Sequence, residues 1–518
     1  MNLFSRIGAA VKYAATGRLS MSQLANGFEG AMAQRRLIAW KATQQNLNSL
    51  LSIGGDVLRA RAREIVRNNP YASTAADSFV ANAVGAGIKP SSLIADTALK
   101  DQIQQIWLQW TDDADADGLT DFYGLQALAT RAMFEAGECF IRFRPRRPED
   151  GLKVPLQIQL LEAEMLPLTR TQIGVGTNPV RCGIEFDAIG RRVAYHFYKN
   201  HPGDSTVFQN QGELVRVPAS EVLHIYRPQR PGQIRGVPWI SPALVKLFLL
   251  DQYDDAELDR KKVAALFAGF ITKNAPEDSL LGEGTPDGDG AAIAGLSPGT
   301  MQVLLPGEDI KFSNPADVGG SYEMFQYRTL LAIAAALGVP YTNITGDLKA
   351  ANYSSIRAGT VEFRRRLEQF QFATLVFQMC RPVWKRWLST AALAGALPLP
   401  NFARNPDLYT PVKWITPKWQ WVDPLKDRQA ERIAQEQGWK APSDIIEAEG
   451  NDVDETFRRI AADQKRIKDL GITLGPLEAP TSSTSASSSS TPSVQEPTPD
   501  APLVADAEPS IDDNETPE

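Results

Sequence analysis

The chain has 518 residues, 43% of them hydrophobic, and a formal net charge of -7. That length allows two to four units, each with its own core, and the charge excludes a strongly basic protein that grips nucleic acid by counterion release. Much of the negative charge is terminal: Pro480 to Glu518 holds eight acidic residues and no Lys or Arg, which leaves residues 1–479 within one charge of neutral.

The opening "MNLFSRIGAAVKYAATGRLS" has Lys12 where a signal peptide needs an unbroken apolar core. It reads as a short basic amphipathic arm, mobile or partner-bound, over residues 1–30. From Leu58 to Val84 the pattern is helical but broken at Asn69 and Pro70, which predicts two helices meeting at a corner. "DQIQQIWLQWTDDADADGLTDFYGLQALATRAMFEAGE" predicts two more around an acidic loop. After Gly137 the period changes. "ECFIRFRPRR", "LQIQLLEAEML", "RCGIEF", "RRVAYHFY" and "EVLHIY" have strand length and strand residues, with a hairpin turn at Asp187 to Gly190. The fold class is therefore α+β.

"SPALVKLFLLDQYDDAELDRKKVAALFAGF" follows, with Ser241 placed to cap and Pro242 at the first helical position. A helix from Pro242 to Gly269 would span about 42 Å. Its centre is densely charged and its ends are apolar, which suits a rod packed beside copies of itself. Asn274 to Gly299, rich in Gly, Pro and Asp, reads as a surface loop, and "MQVLLPGEDIKFS" as two short strands around Pro306 and Gly307. "YEMFQYRTLLAIAAALG" is a second apolar helix stopped by Gly338 and Pro340. At about ten residues, its Leu330 to Val339 run is the longest apolar candidate, roughly half a membrane span.

A long helix then starts near Asn352 to Ser355. One stripe on it is Phe363, Leu367, Phe370, Phe377, Trp384 and Leu388, another is Phe372, Val376, Met379 and Val383, and Pro382 predicts a kink. Shorter helices follow Asp423. The Ser-rich acidic tail, without aromatics, predicts disorder over 480–518.

Few stretches suggest chemistry. "GLSPG" fits a nucleophile elbow around Ser297, but Pro298 has no N–H for an oxyanion, and His196, His201 and His224 all precede the serine. "DDADADG" starts like a calcium loop, yet its twelfth position is Gly124, so a solvated acidic turn is the better reading. The histidines lack ligand spacing and read as structural. Cys139, Cys182 and Cys380 are too few and too scattered for a disulfide framework or a zinc cluster, and fit synthesis in a reducing cytosol. No metal site or cofactor is expected. "GDLKAANYSSIRAG", residues 346–359, has lysine, serine and glycine, but not the spacing or the preceding strand of a P-loop. What remains is a polar loop bearing Lys349 between two helices.

"ARAREIVRNNPYASTAADSFVANAVGAGIKP", "RGVPWISPAL", "DQYDDAELDRKKVAALFAGFITK", "LLPGEDIKFSNP", "LGVPYTNITGDLKAANYSSIRAGTVEFRRRLEQFQ" and "PVWKRWL" together resemble the lambda-type family of tailed-phage portal proteins. The likeness runs in order over roughly residues 30–470. The resemblance implies a portal-protein fold with an α/β wing at 31–240, a stem helix at 241–269, a clip at 270–318 and a second stem helix at 319–337. A tunnel loop at 338–355, a kinked wing helix with the segment after it at 356–422, and a helical crown at 423–479 complete the order.

It further implies a ring, usually dodecameric, at the portal vertex of a capsid, made in the bacterial host cytoplasm and carried in the virion. Double-stranded DNA would pass non-specifically through it during packaging and ejection, without enzymatic activity in the ring itself. Asp347, Lys349, Asn352 and Tyr353 would face that DNA, and Glu277, Asp278, Glu283 and Asp287 on the clip would dock the large terminase subunit. Head-tail connector or adaptor proteins, the major capsid protein and the scaffold are the other implied partners, with no membrane. Two other readings stand beside this one: a monomeric adaptor or scaffold of phage assembly, and an enzyme, either a Ser297 hydrolase or a nucleotide-driven motor subunit.

Overall fold

The computed structural model describes residues 43–174, 177–206, 212–265, 269–273, 308–312, 321–349, 353–417 and 424–472. The N-terminal arm, the loop from Asn274 to Gly299 with Glu277, Asp278, Glu283, Asp287 and Ser297, the strand expected before Pro306, and the tail lie outside these. Two compact units divide the chain, Met1–Thr456 and Phe457–Glu518. Of the second, the described part is the end of one helix and the residues up to 472.

The predicted corner is built from two caps. Asn46 accepts N–H bonds at the start of α1 (Leu47–Asn68). Asn69, where α1 stops, turns its side chain to accept the Ala72 N–H at 3.1 Å and so starts α2 (Pro70–Ala83), with Pro70 where a missing N–H costs nothing. Strand β1 (Lys89–Ser92) follows. Asp96 and Asp121 then cap α3 (Thr97–Asp113) and α4 (Phe122–Ala136) in the same way. The turn between α3 and α4 departs from the expected solvated one. Asp115 is buried, and its carboxylate accepts the N–H groups of Asp117, Leu119 and Thr120, so its oxygens serve the backbone.

The strands come next: β2 (Glu138–Pro145), β3 (Leu156–Leu161), β4 (Val180–Arg181), β5 (Ile184–Phe186), β6 (Arg192–Tyr198), β7 (Leu214–Pro218) and β8 (Val222–Tyr226). They form two antiparallel sheets, ordered β3-β2-β8 and β4-β5-β6-β7. The hairpin turn between β5 and β6 is closed by Asp187, which accepts from Ile189 and Arg191.

Alternation along β2 sends Cys139, Ile141 and Phe143 into the main core and Phe140 into a second, smaller core over the four-stranded sheet. The three-stranded sheet is thus a partition between two apolar clusters. The main core is centred on stacked and edge-packed aromatics, with Trp107 within 4.9–5.3 Å, centroid to centroid, of Trp110, Phe122, Trp384 and Trp387.

Helix α5 covers Leu244–Ala265, shorter than expected at both ends. Ser241 does not cap it; its hydroxyl donates back to the Pro238 carbonyl, and residues 241–243 form turns before the helix begins. At the other end Gly269 opens β9 (Gly269–Lys273), paired antiparallel with β10 (Glu308–Phe312). Helix α6 (Ser321–Leu337) stops at Gly338, whose φ of 70° lets its N–H reach the Ala334 carbonyl at 2.8 Å.

A short helix, α7 (Tyr341–Thr345), comes next, then α8 (Tyr353–Phe370), a π-helical stretch from Gln371 to Cys380, and α9 (Arg381–Leu393). The irregularity expected at Pro382 therefore begins at Gln371. Its wider i→i+5 turns shift the phase of the stripes: Leu375, Val376 and Met379 stay buried, but Phe372 and Phe377 become exposed. Strand β11 (Val412–Ile415) returns to pair with β1. Helices α10 (Pro424–Glu436), α11 (Pro442–Ala448) and α12 (Val453–Asp469) close the described chain. In the first unit, Asp452 and Asp454 bond Ser91 and Lys100, and Glu447 pairs with Lys413. Among the described residues no helix is long and apolar enough to cross a membrane.

Candidate nucleic-acid interface

The polar stretch that begins at Gly346 is carried on a short, well-anchored platform. Pro340 and the glycine stop of α6 turn the chain into α7. Ile344 is buried, and the Asn343 amide donates to Ser78 of α2 at 3.2 Å. Tyr341 packs edge-on against Tyr327 of α6, 5.1 Å between ring centres, and burial together with nearby Asp347 raises its phenol. α7 is thereby held from both sides.

Beyond it, Gly346 takes φ 70° and returns its N–H to Thr342. Asp347 is then fixed three ways: its own N–H donates to Thr345 Oγ1, one carboxylate oxygen accepts the Lys349 N–H at 2.9 Å, and the other accepts the Tyr341 hydroxyl at 3.4 Å. This Asx turn pushes Leu348 and Lys349 into solvent. No ion pair to the Lys349 ammonium occurs among the described residues.

Of the four residues expected to act together, Asp347 is a turn-former and Lys349 is the projecting charge. Asn352 lies outside the described residues, and Tyr353 is the first residue of α8, its side chain undescribed. The expected loop from 338 to 355 is thus partly helical: α7 occupies its middle and α8 its end. "YTNIT" hides that helix because its threonines and isoleucine favour strands.

Behind the platform lies a feature the sequence reading missed. A cleft of about 580 Å³ at Gly338 is lined by Trp239 and Phe370 and by two guanidinium groups, Arg227 and Arg366. Arg227 sits 4.3 Å over the Trp239 ring, and burial followed by repulsion from Arg366 lowers its pKa. In sequence one arginine follows a strand and the other ends an arginine run, so nothing marks them as neighbours.

The histidines, expected to lack carboxylate partners, each have one. His201 approaches Glu162 at 3.0 Å, and with Glu164 these groups have the spacing of a cation site. Arg63 fills it, holding Glu164 through two 2.9 Å bonds and reaching Glu162 at 3.3 Å. His196 meets Glu185 at 3.3 Å. Paired chiefly with Arg216, the Glu185 carboxyl is pushed down to about 2.

His224 belongs to a buried ionic knot. Glu138, fully buried, accepts from Arg59 at 2.5 Å, Arg235 Nε at 2.8 Å, the Gly236 N–H at 2.6 Å and His224 at 2.9 Å, and pairs with Arg235 Nη2 at 2.6 Å. Arg235 continues to the carbonyls of Cys182 and Leu166. The knot therefore joins α1, β2, β8 and the smaller core. Burial would raise Glu138, but Arg235 and Arg59 outweigh it and hold its carboxyl well below the usual range. Burial also takes His224 down to about 4 against the attraction of Glu138. Its Nδ1 has no partner among the described residues, so a second proton would have nowhere to donate.

The comparisons agree in kind. The family model that matches, over residues 33–371, is described as phage portal protein, lambda family. A probable portal protein of Halomonas phage phiHAP-1 is 28% identical over 431 residues, covering 80% of this chain and 82% of its own. The portal protein of Escherichia phage N15 is 22% identical over 488 residues, covering 84% and 89%. Among solved structures, a chain from the neck of a native GTA particle computed with C12 symmetry is 15% identical and covers 77% of this chain and 99% of that one. Its TM-score is 0.45.

Proposed function

The chain belongs to the lambda family of phage portal proteins, structural components of the head-tail junction, and from that membership we propose that copies of it close into a ring whose bore carries double-stranded DNA. In this reading the ring, dodecameric as is usual for the family, occupies the portal vertex of a capsid in the virion and is not itself an enzyme. α5 and α6 are the stem, residues 270–318 are the clip, and residues 338–355 are the loop at the narrowest part of the bore. The terminase docks on the clip, at Glu277, Asp278, Glu283 and Asp287. The connector or adaptor, the capsid protein and the scaffold bind elsewhere on the same ring.

Family membership over residues 33–371 carries the reading. Two features of the chain support its parts. Leu258 on α5 and Met324 and Phe325 on α6 are exposed although α5 and α6 pack together through Tyr253, Tyr322 and Phe325, an apolar surface that head-to-tail contact with a neighbouring copy would cover. The platform built by α7 presents a single lysine from a rigid base, in a body close to neutral. A wall past which DNA must slide works best with few phosphate contacts, because each tight contact adds to the barrier for movement.

Imaging the purified protein by electron microscopy, with its mass in solution, tests the ring directly. Closed rings of one subunit number are expected. A protein that stays monomeric at assembly concentrations would turn the reading toward an adaptor or scaffold of assembly.

A further inference from the structure

An apolar groove of about 670 Å³ runs between α1 and the start of α5. Val57, Leu58 and Ile65 form one wall, Val245 and Phe248 the other, with Glu64 and Arg61 at the rim. The apolar face continues past the groove to Leu50 and Ile53 on α1 and Leu249 on α5, all exposed, Ile53 by 80%. On α1, positions 50, 53, 54 and 57 have the spacing of a helix face that seeks a partner. Gly54 lies among them with nothing within 4 Å of where a Cβ would stand. The face is built, apolar and open.

We propose that this groove seats the chain's own N-terminal segment, through the apolar residues between Leu3 and Val11. Leu3, Phe4, Ile7 and Val11 fall on one helical face at the spacing i, i+1, i+4, i+8. Arg6 and Lys12 flank that face, and no acidic residue precedes Glu29. The acceptors for those charges are Glu64 at the rim and Asp56, which is 64% exposed on α1.

The tether selects this occupant over a second copy. Residues between Ser20 and Leu47 can extend about 90 Å at roughly 3.4 Å each, while the α1 wall of the groove, Gly54 to Ile65, lies about two to five turns from the start of that helix. A segment on so short a leash faces the groove at an effective concentration of order millimolar.

Photo-crosslinking in the full chain tests it. With p-benzoylphenylalanine in place of Ile7, irradiation is expected to join that position to the peptide holding Val57 or the one holding Phe248, within a single chain. A crosslink between two chains would give the groove to a second copy, and crosslinks elsewhere, or none, would leave it without the arm; each overturns the proposal. Trypsin gives a second reading. Cleavage after Lys12 is expected to quicken about tenfold in Val57→Asp and Phe248→Asp, whose exposed positions leave the fold intact. Equal cleavage rates in wild type and both variants, at unchanged circular dichroism, would also overturn it.

Discussion

Glu138 and Lys349 are both charged residues, yet the chain treats them in opposite ways. Glu138 is sealed in the partition between two cores, with two arginines, a histidine and a backbone amide on its oxygens. Lys349 projects from a short platform whose own contacts end at Asp347. The first charge is bound by everything around it and is part of the fold. The second is held through its backbone N–H, and among the described residues its ammonium has no ion pair. The proposed channel would need both: a wall that does not yield, and a contact that does not hold.

Removing the buried charge should have the largest effect. Glu138→Ala leaves Arg59 and Arg235 facing each other without the carboxylate between them, Arg59 keeping only the longer 3.8 Å pair with Asp56, and breaking a buried ionic network in this way costs about 3–5 kcal/mol. Denaturant unfolding of the purified protein would measure it. A loss below about 1 kcal/mol would mean the knot is not what joins the two cores.

Acid attacks the same knot more gently. With His224 at about 4 in the folded chain and about 6.5 unfolded, the unfolded chain takes up a proton that the folded one refuses between those values. Stability therefore falls as pH drops through that interval, by up to about 3 kcal/mol at roughly 1.4 kcal/mol per unit. Glu138, whose folded value is depressed, contributes stability above its unfolded value and loses it only at lower pH. Melting temperature against pH would show the decline, and His224→Gln should flatten it.

Gly338→Ala lies at the base of the platform, at φ 70°. A side chain there costs about 1 kcal/mol or slightly more, and the new Cβ would stand 3.2 Å from the Arg366 guanidinium, which can swing away. A small drop in melting temperature is the expected outcome. Lys349→Glu should change stability least, by less than about 0.5 kcal/mol, while altering DNA packaging or retention. Normal packaging in that variant would remove Lys349 from the DNA path.

What the sequence made legible was local. The Asn69–Pro70 corner and the Gly338 stop could be read because a helix break or a left-handed glycine is decided by a few neighbouring residues. β1 and β7 were missed because "KPSS" and "LVRVP" are short and carry proline, and β1 draws its pairing from the distant β11. Phe372 and Phe377 were misplaced because the stripe was drawn at the α period, and only the packed structure shows the chain widening to π turns. Arg59, Glu138 and the pair His224 and Arg235 lie in three stretches far apart in sequence, so the knot emerges only when α1, β2 and β8 meet. For the loop, the exposed lysine was legible and the α7 platform beneath it was not.

The proposed channel would bring Lys349 against passing DNA. Placing a photoreactive group at position 349 and irradiating particles arrested during packaging tests this most directly. Crosslinks from that position to DNA, spread along the genome without sequence preference, are the predicted result. DNA left unlinked at 349, while the same group on the outer surface of the ring marks it, would contradict the account.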